Sequence, residues 1–159
     1  MRVIQAPQPL LLKPQERAAF LAGSIDMGES VNWQSQLVAM LAQHHGTLLN
    51  PRRDRWEANR SSEASNPVFR EQVEWELTAM EAAGLIAFYF APASQAPITL
   101  LELGLAARAR KAVVCCPEGY WRRGNVAVVC ERYGVPMVES LDDLAQAIRQ
   151  YGDAGVAPR

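Results

Sequence analysis

With two histidines, three cysteines and no excess charge of either sign, this 159-residue chain has few of the residues that metal, redox or nucleic-acid chemistry requires. The histidines, His44 and His45, are adjacent, so on a helix they face different ways and cannot build a His-rich metal cage. Their ordinary place is a solvated helix end. Cys115, Cys116 and Cys130 show no CxxC and no Cys/His spacing of a zinc site, and an odd thiol count fits a reducing compartment. Sixteen Lys and Arg against 17 Asp and Glu give a net charge of -1, which offers no broad basic face to a nucleic-acid polymer. No apolar run approaches the ~20 residues needed to span a bilayer. The start of the chain has one early Arg2 and a short apolar run at 10–12 between Pro9 and Pro14, not the longer run of a signal peptide. Neither GxGxxG nor GxxxxGK[ST] occurs, which removes the main support for a dinucleotide or P-loop site. By elimination, the expectation is a cytoplasmic protein, without membrane or nucleic-acid partners, that acts on small molecules.

What is present is an ordinary globular composition, 49% hydrophobic and 21% charged in 17.6 kDa, the size of one domain. Short apolar runs alternate with longer amphipathic segments from residue 18 onward, the pattern of βα units on a parallel sheet. The runs at 18–22, 46–49, 85–90, 112–116 and 135–138 read as five strands. Helices are expected over 31–44, from Pro67 to about 83, from Pro97 to about 110, from Arg123 to Gly134, and from an N-cap at Ser140 to about Gly152. Residues 1–17 read as an N-terminal arm or edge strand, 18–152 as the single domain, and 153–159 as a frayed tail. The polar segment 51–66, with four arginines and Trp56, reads as a long loop.

In an open parallel sheet, ligands bind beyond the carboxyl ends of the strands. That rule selects four loops: FLAGSI (20–25), NPRR (50–53), APASQAP (91–97) and CPEGYW (116–121). Gly23 allows a ligand to approach the backbone closely. The most informative stretch is ITLLELGLAARA (98–109), where Glu102 lies among leucines on a helix that otherwise reads as packed, with Gly104 reducing bulk at its surface. Either Glu102 emerges at a solvated face, or it is held near the sheet edge within reach of a ligand. In FREQVEWELTAMEAA, Glu76 stands 26 residues earlier, and βα geometry can bring both helix starts to one edge. Glu71, Glu74 and Glu81 compete for the second place on spacing alone. Paired carboxylates suit glycosidic chemistry, one as nucleophile and the other managing protons.

Together, FLAGSI, NPRR, QVEWEL and ITLLELGLA resemble the nucleoside 2-deoxyribosyltransferase superfamily, in particular its compact bacterial branch, over roughly residues 18–140. Its relatives include the 2'-deoxynucleoside 5'-phosphate N-hydrolases. The resemblance implies an α/β flavodoxin/Rossmann-like three-layer sandwich, with about five mainly parallel strands and helices on both faces. It also implies no metal or organic cofactor, and cleavage or transfer at an N-glycosidic bond through a covalent glycosyl-glutamate. Glu102 matches the family nucleophile, and Glu76 stands where the family usually has an aspartate. Gly23, Ser24 and Ile25 would line the sugar or phosphate side. Arg52 and Arg53 would meet a phosphate or belong to a solvated loop, and Asn50 would bond a base edge or cap the turn before Pro51. Trp33, Trp56 and Trp121 would stack on a base or pack, while Trp75 reads as core or interface. Gly84 replaces an aspartate usual before the third strand, and Ala96 a serine or aspartate six residues before the nucleophile. Ser94 and Thr99 are the nearby hydroxyls. These departures also suit a second reading, a weak or inactive nucleotide-binding module on the same fold. Family members commonly complete the site with a neighbouring subunit, so at least a homodimer is expected, through the Trp75 helix and residues 54–66.

Overall fold

The apolar runs become strands of one sheet. The computed structural model describes residues 1–25, 31–53 and 62–154. Among them are β1 (Arg2–Gln5), β2 (Ala18–Gly23), β3 (Thr47–Asn50), β4 (Leu85–Tyr89), β5 (Ala112–Cys115) and β6 (Met137–Val138). All neighbours pair in parallel in the order β1-β3-β2-β4-β5-β6. The expected five strands, mainly parallel, are therefore six and wholly parallel. The sixth is β1, the edge strand that is one of the two expectations for residues 1–17; it registers Arg2 against Thr47 and Gln5 against Asn50, covering an otherwise open edge of β3. The other five follow the 2-1-3-4-5 order of a flavodoxin-like sheet, whose direction of winding reverses between β2 and β4.

Side chains alternate along these strands and so divide into two cores. Phe20, Ala22, Leu49, Ile86, Phe88 and Val114 join one core, and Leu21, Leu48, Ala87, Val113 and Cys115 the other. The first is covered by α2 (Pro67–Ala82), α3 (Pro97–Ala106) and α4 (Arg123–Tyr133), the second by α1 (Trp33–Met40) and α5 (Leu141–Asp153). Helices on both faces of a parallel sheet make the three-layer sandwich. All three cysteines are buried as free thiols, and burial pushes Cys115 up to about 12 and Cys116 and Cys130 up to about 11. They are core residues with little thiolate character.

Helix ends follow local chemistry. Asn66 caps α2 by accepting from the backbone N–H groups of Val68 and Phe69, with Pro67 at the first helical position. At the other end the Lys111 ammonium donates to the carbonyls of Met80, Glu81 and Ala83. Ser140 caps α5 by accepting from the Asp143 N–H, and Asp142 and Asp143 occupy the first turn. Two helices are shorter than their patterns suggest. α1 starts after Asn32, whose side chain accepts from Ser35, and stops near Leu41 so that Gly46, at φ 102°, can turn the chain into β3. α3 tightens into a 3-10 turn at Ala107–Ala109. Beyond β1 the N-terminal segment crosses α2: the Trp75 indole donates to the Gln8 carbonyl at 2.7 Å, and Leu10 and Leu12 pack on the core. None of the described helices is long and apolar enough to cross a membrane.

Candidate active site

Two strand ends, those of β2 and β4, meet at the winding reversal. The Ser24 N–H, just after β2, donates to the Tyr89 carbonyl at the end of β4, and the Ser24 hydroxyl accepts from the Ala91 N–H at 3.2 Å. Ser24 therefore ties two loops together. Gly23 is required by packing and leaves no opening for a ligand on that side. A Cβ there would lie 2.5 Å from the Tyr89 carbonyl and 2.6 Å from the Trp33 ring. Trp33 is fully buried, 5.2 Å from the Tyr89 ring, and donates its indole N–H to the Ser24 carbonyl, so it packs the sheet end and cannot stack on a base. Ile25 is half-buried beside this junction.

Glu102 is held inside. On α3 the buried residues are Thr99, Glu102, Leu103 and Ala106, a helical stripe with an acid at its centre. The outer face carries the large aliphatics: Ile98, Leu101 and Leu105 are exposed, and Gly104 faces open space. Among the described residues Glu102 has no hydrogen-bond donor or cation to offset its burial. Burial first, and the negative charge of Glu76 second, push its carboxyl up to about 8.

Glu76 lies on α2 and meets Glu102 electrostatically across the site. Its competitors are directed outward: Glu71 and Glu74 have side chains 58% and 64% exposed and pair with Arg53 and Arg70, and Glu81 is exposed. Burial raises the Glu76 carboxyl, while a hydrogen bond from Gln72 and the charge of Arg53 pull it down. Glu76 is thus the member of the pair better equipped to hold a negative charge.

Gln72, not anticipated from sequence, organises this corner. Its Nε2 donates to the Pro51 carbonyl and to Glu76 Oε1, both at 2.8 Å, and its Oε1 accepts from Arg53 Nε. The signal was its position one turn before Glu76 on the same helix face. Arg53 also donates from Nη2 to Glu71 at 2.8 Å, so two of its three nitrogens, Nε and Nη2, support α2. Asn50 caps its turn, its Oδ1 accepting from the Arg52 N–H at 3.0 Å. Arg52 reaches Gln34 Oε1 at 3.4 Å, while the buried Gln34 Nε2 has no partner among the described residues.

The two departures from the family pattern lie at opposite edges of the sheet. Gly84 precedes β4 at the amino edge, where a Cβ would come within 2.0 Å of the Tyr151 hydroxyl, so it serves α5 packing and is remote from Glu102. Ala96, buried and left-handed at φ 44°, starts α3 without a side-chain cap. Nearby, Tyr120 and Trp121 both donate to the Gln95 carbonyl, and Trp121 stays 56% exposed with the Arg122 guanidinium 4.2 Å over its ring. Trp56 and the stretch 54–61 lie outside the described residues, as does 155–159 of the expected tail. No group of three His, Cys, Asp or Glu suited to a metal is gathered among the described residues.

A family model described as "Nucleoside 2-deoxyribosyltransferase like" matches residues 16–120, about two thirds of the sequence. The chain belongs to this family. The matched span runs from just before β2 to the loop after β5, and so contains Glu76, Glu102, Gln72 and the loops around them. Outside it lie β1 at one end and α4, β6 and α5 at the other, elements of the nucleoside 2-deoxyribosyltransferase-like fold in this chain that the match does not reach. Among solved structures, a conserved protein from Enterococcus faecalis V583 aligns with a TM-score of 0.59 and 14% identity, over 85% of this chain and 98% of that one. At that identity the likeness bears on the fold. No curated protein matches the chain.

Proposed function

We propose that this protein cleaves or transfers at the N-glycosidic bond of a (deoxy)nucleoside or nucleoside monophosphate through a covalent glycosyl intermediate on Glu102. The observation that carries this reading is a carboxyl pair, Glu102 buried and Glu76 half-buried, whose charges bear on each other beside the carboxyl ends of β3 and β4, in a chain of this family. In this reading the proton of the resting pair sits on Glu102, which has no donor among the described residues, and the charge on Glu76, which accepts from Gln72. When substrate enters, the proton passes from Glu102 to Glu76. An oxygen of ionised Glu102 then bonds to C1′ as the C1′–N bond breaks, and the departing base nitrogen takes the proton from Glu76. Positive charge growing at C1′ favours the ionised nucleophile. Water or a second base next attacks C1′ and gives its proton to Glu76 as the bond from C1′ to the Glu102 oxygen breaks, and that proton returns to Glu102 to restore the resting pair.

Base release from a panel of nucleosides and nucleoside monophosphates, followed by chromatography, tests the reading against Glu102→Ala. A wild type no faster than the variant on every substrate overturns it. Ala96 supports a second reading, a nucleotide-binding module without turnover, because alanine provides no side chain to orient Glu102 or hold a sugar. That reading predicts ligand-dependent thermal stabilisation with no base released.

We place the protein in a reducing, cytoplasmic setting, supported by three buried free thiols. We also propose at least a homodimer. On the expected face Trp75 itself is covered by the chain's own N-terminal segment, and residues 54–61 lie outside the described residues; the face we propose is a different one. It is the exposed stripe of Ile98, Leu101 and Leu105 on α3, where Gly104 leaves room for a second backbone to approach.

A further inference from the structure

A glutamine amide has two N–H donors and a carbonyl acceptor, and at Gln72 all three are committed. Gln72 is buried; its Nε2 reaches the Pro51 carbonyl and Glu76 Oε1, and its oxygen accepts from Arg53. Turning the amide over would set its oxygen against a carbonyl and a carboxylate, and its NH2 against a guanidinium. Only one orientation is satisfied, so the N–H that points at Glu76 cannot turn away. The neighbour across the site, Glu102, has no donor of its own among the described residues.

We propose that Gln72 is the positioning residue of the carboxyl pair, an amide locked by the loop after β3 so that it donates to Glu76 and makes Glu76, not Glu102, the charged member. Among the described residues, the charged groups facing Glu76 are Arg53 of that loop and Glu102 of α3, and Glu71 of its own helix holds the outer end of Arg53. Arg53 thus acts twice, through its charge and through its hold on the amide. The proposal deepens the glycosidic reading and rests on it for its catalytic meaning: it sets which acid receives the proton destined for the leaving base.

The test is a carboxyl titration of the full-length protein labelled with 13Cδ-glutamate, comparing wild type with Gln72→Met, which keeps the side-chain length and removes the amide. A hydrogen bond to a charged group is worth enough to move a midpoint by about one pH unit. The Glu76 midpoint is expected to rise by that amount in the variant and the Glu102 midpoint to fall. A folded variant with an unchanged Glu76 midpoint overturns the proposal. Should Gln72→Met not fold, the wild type decides: the Gln72 Nε2 proton resonances are expected to titrate with the Glu76 midpoint, and pH-independent resonances overturn it. Base release is measured alongside. A wild type without turnover defeats the glycosidic reading, while the carboxyl titrations, which need no substrate, still decide the role of Gln72.

Discussion

Replacing Glu102 by glutamine keeps the shape of the protonated acid and removes its ability to ionise, so the stability of the two proteins should diverge with pH. In the unfolded chain the Glu102 carboxyl releases its proton near 4.5, but in the folded protein only near 8. Between these values the folded state binds more protons than the unfolded state, so stability falls as pH rises and levels off above about 8. Each tenfold change in proton affinity is worth about 1.4 kcal/mol, which sets a ceiling of about 5 kcal/mol. Relaxation of the site and entry of water around an 8% exposed side chain reduce that; the expected difference is about 2–4 kcal/mol. Urea unfolding followed by tryptophan fluorescence at pH 5, 7 and 9 reads it directly. Wild type and Glu102→Gln should agree closely at pH 5, and the variant should be the more stable at pH 9. The exposed Glu74 is the control, and Glu74→Gln should follow the wild type throughout. A Glu102→Gln difference that does not change between pH 5 and 9 would refute the placement of Glu102 as a buried acid without a donor.

Other substitutions probe the frame around the pair. Gly23→Ala drives a methyl into the Tyr89 carbonyl and the buried Trp33 ring, neither of which can retreat, so a loss of about 3 kcal/mol or more in chemical denaturation is expected. At Gly84 the obstacle is the end of the Tyr151 side chain, so Gly84→Ala should cost only about 1–2 kcal/mol, and almost nothing in a Tyr151→Ala background. Base release by Gly84→Ala should match the parent, because that glycine lies at the amino edge of the sheet. Leu101→Glu places a charge on the outer face of α3, and light scattering should show a smaller species than the wild type; a wild type that is monomeric at micromolar concentration overturns the proposed dimer.

Much of the fold was legible because strands buried on both faces betray themselves. The stretch 85–90 has no polar residue, and it became the strand beside the winding reversal. The caps at Asn66 and Ser140 and the Pro67 start are local chemistry, which is why those helix starts agree with the sequence. The sixth strand was harder to see. β1 is only four residues long, and pairing with a strand more than forty residues away leaves no local periodicity. The helix expected over 31–44 ends early for a related reason: its end is set by where the chain must turn into β3, not by its own propensity.

The acids show where residue types stop being informative. Glu102 could be singled out because it interrupts an apolar helix, yet the same helix exposes three large aliphatics and buries the glutamate, the reverse of what composition favours. Only tertiary contact decides which face turns inward. Arg53 shows this again: beside Pro51 and Arg52 it reads as a phosphate ligand, but its guanidinium is engaged by Gln72 and Glu71. Removing Arg53 would therefore not act like the loss of a substrate contact. It would free the Gln72 amide, withdraw the cation that favours the charged form of Glu76, and leave the two acids competing for one proton on more equal terms. An Arg53→Met variant should consequently change the pH dependence of base release more than the affinity for a phosphorylated over an unphosphorylated substrate, whereas a selective loss of affinity for the phosphorylated substrate would return Arg53 to the role its sequence neighbours suggest.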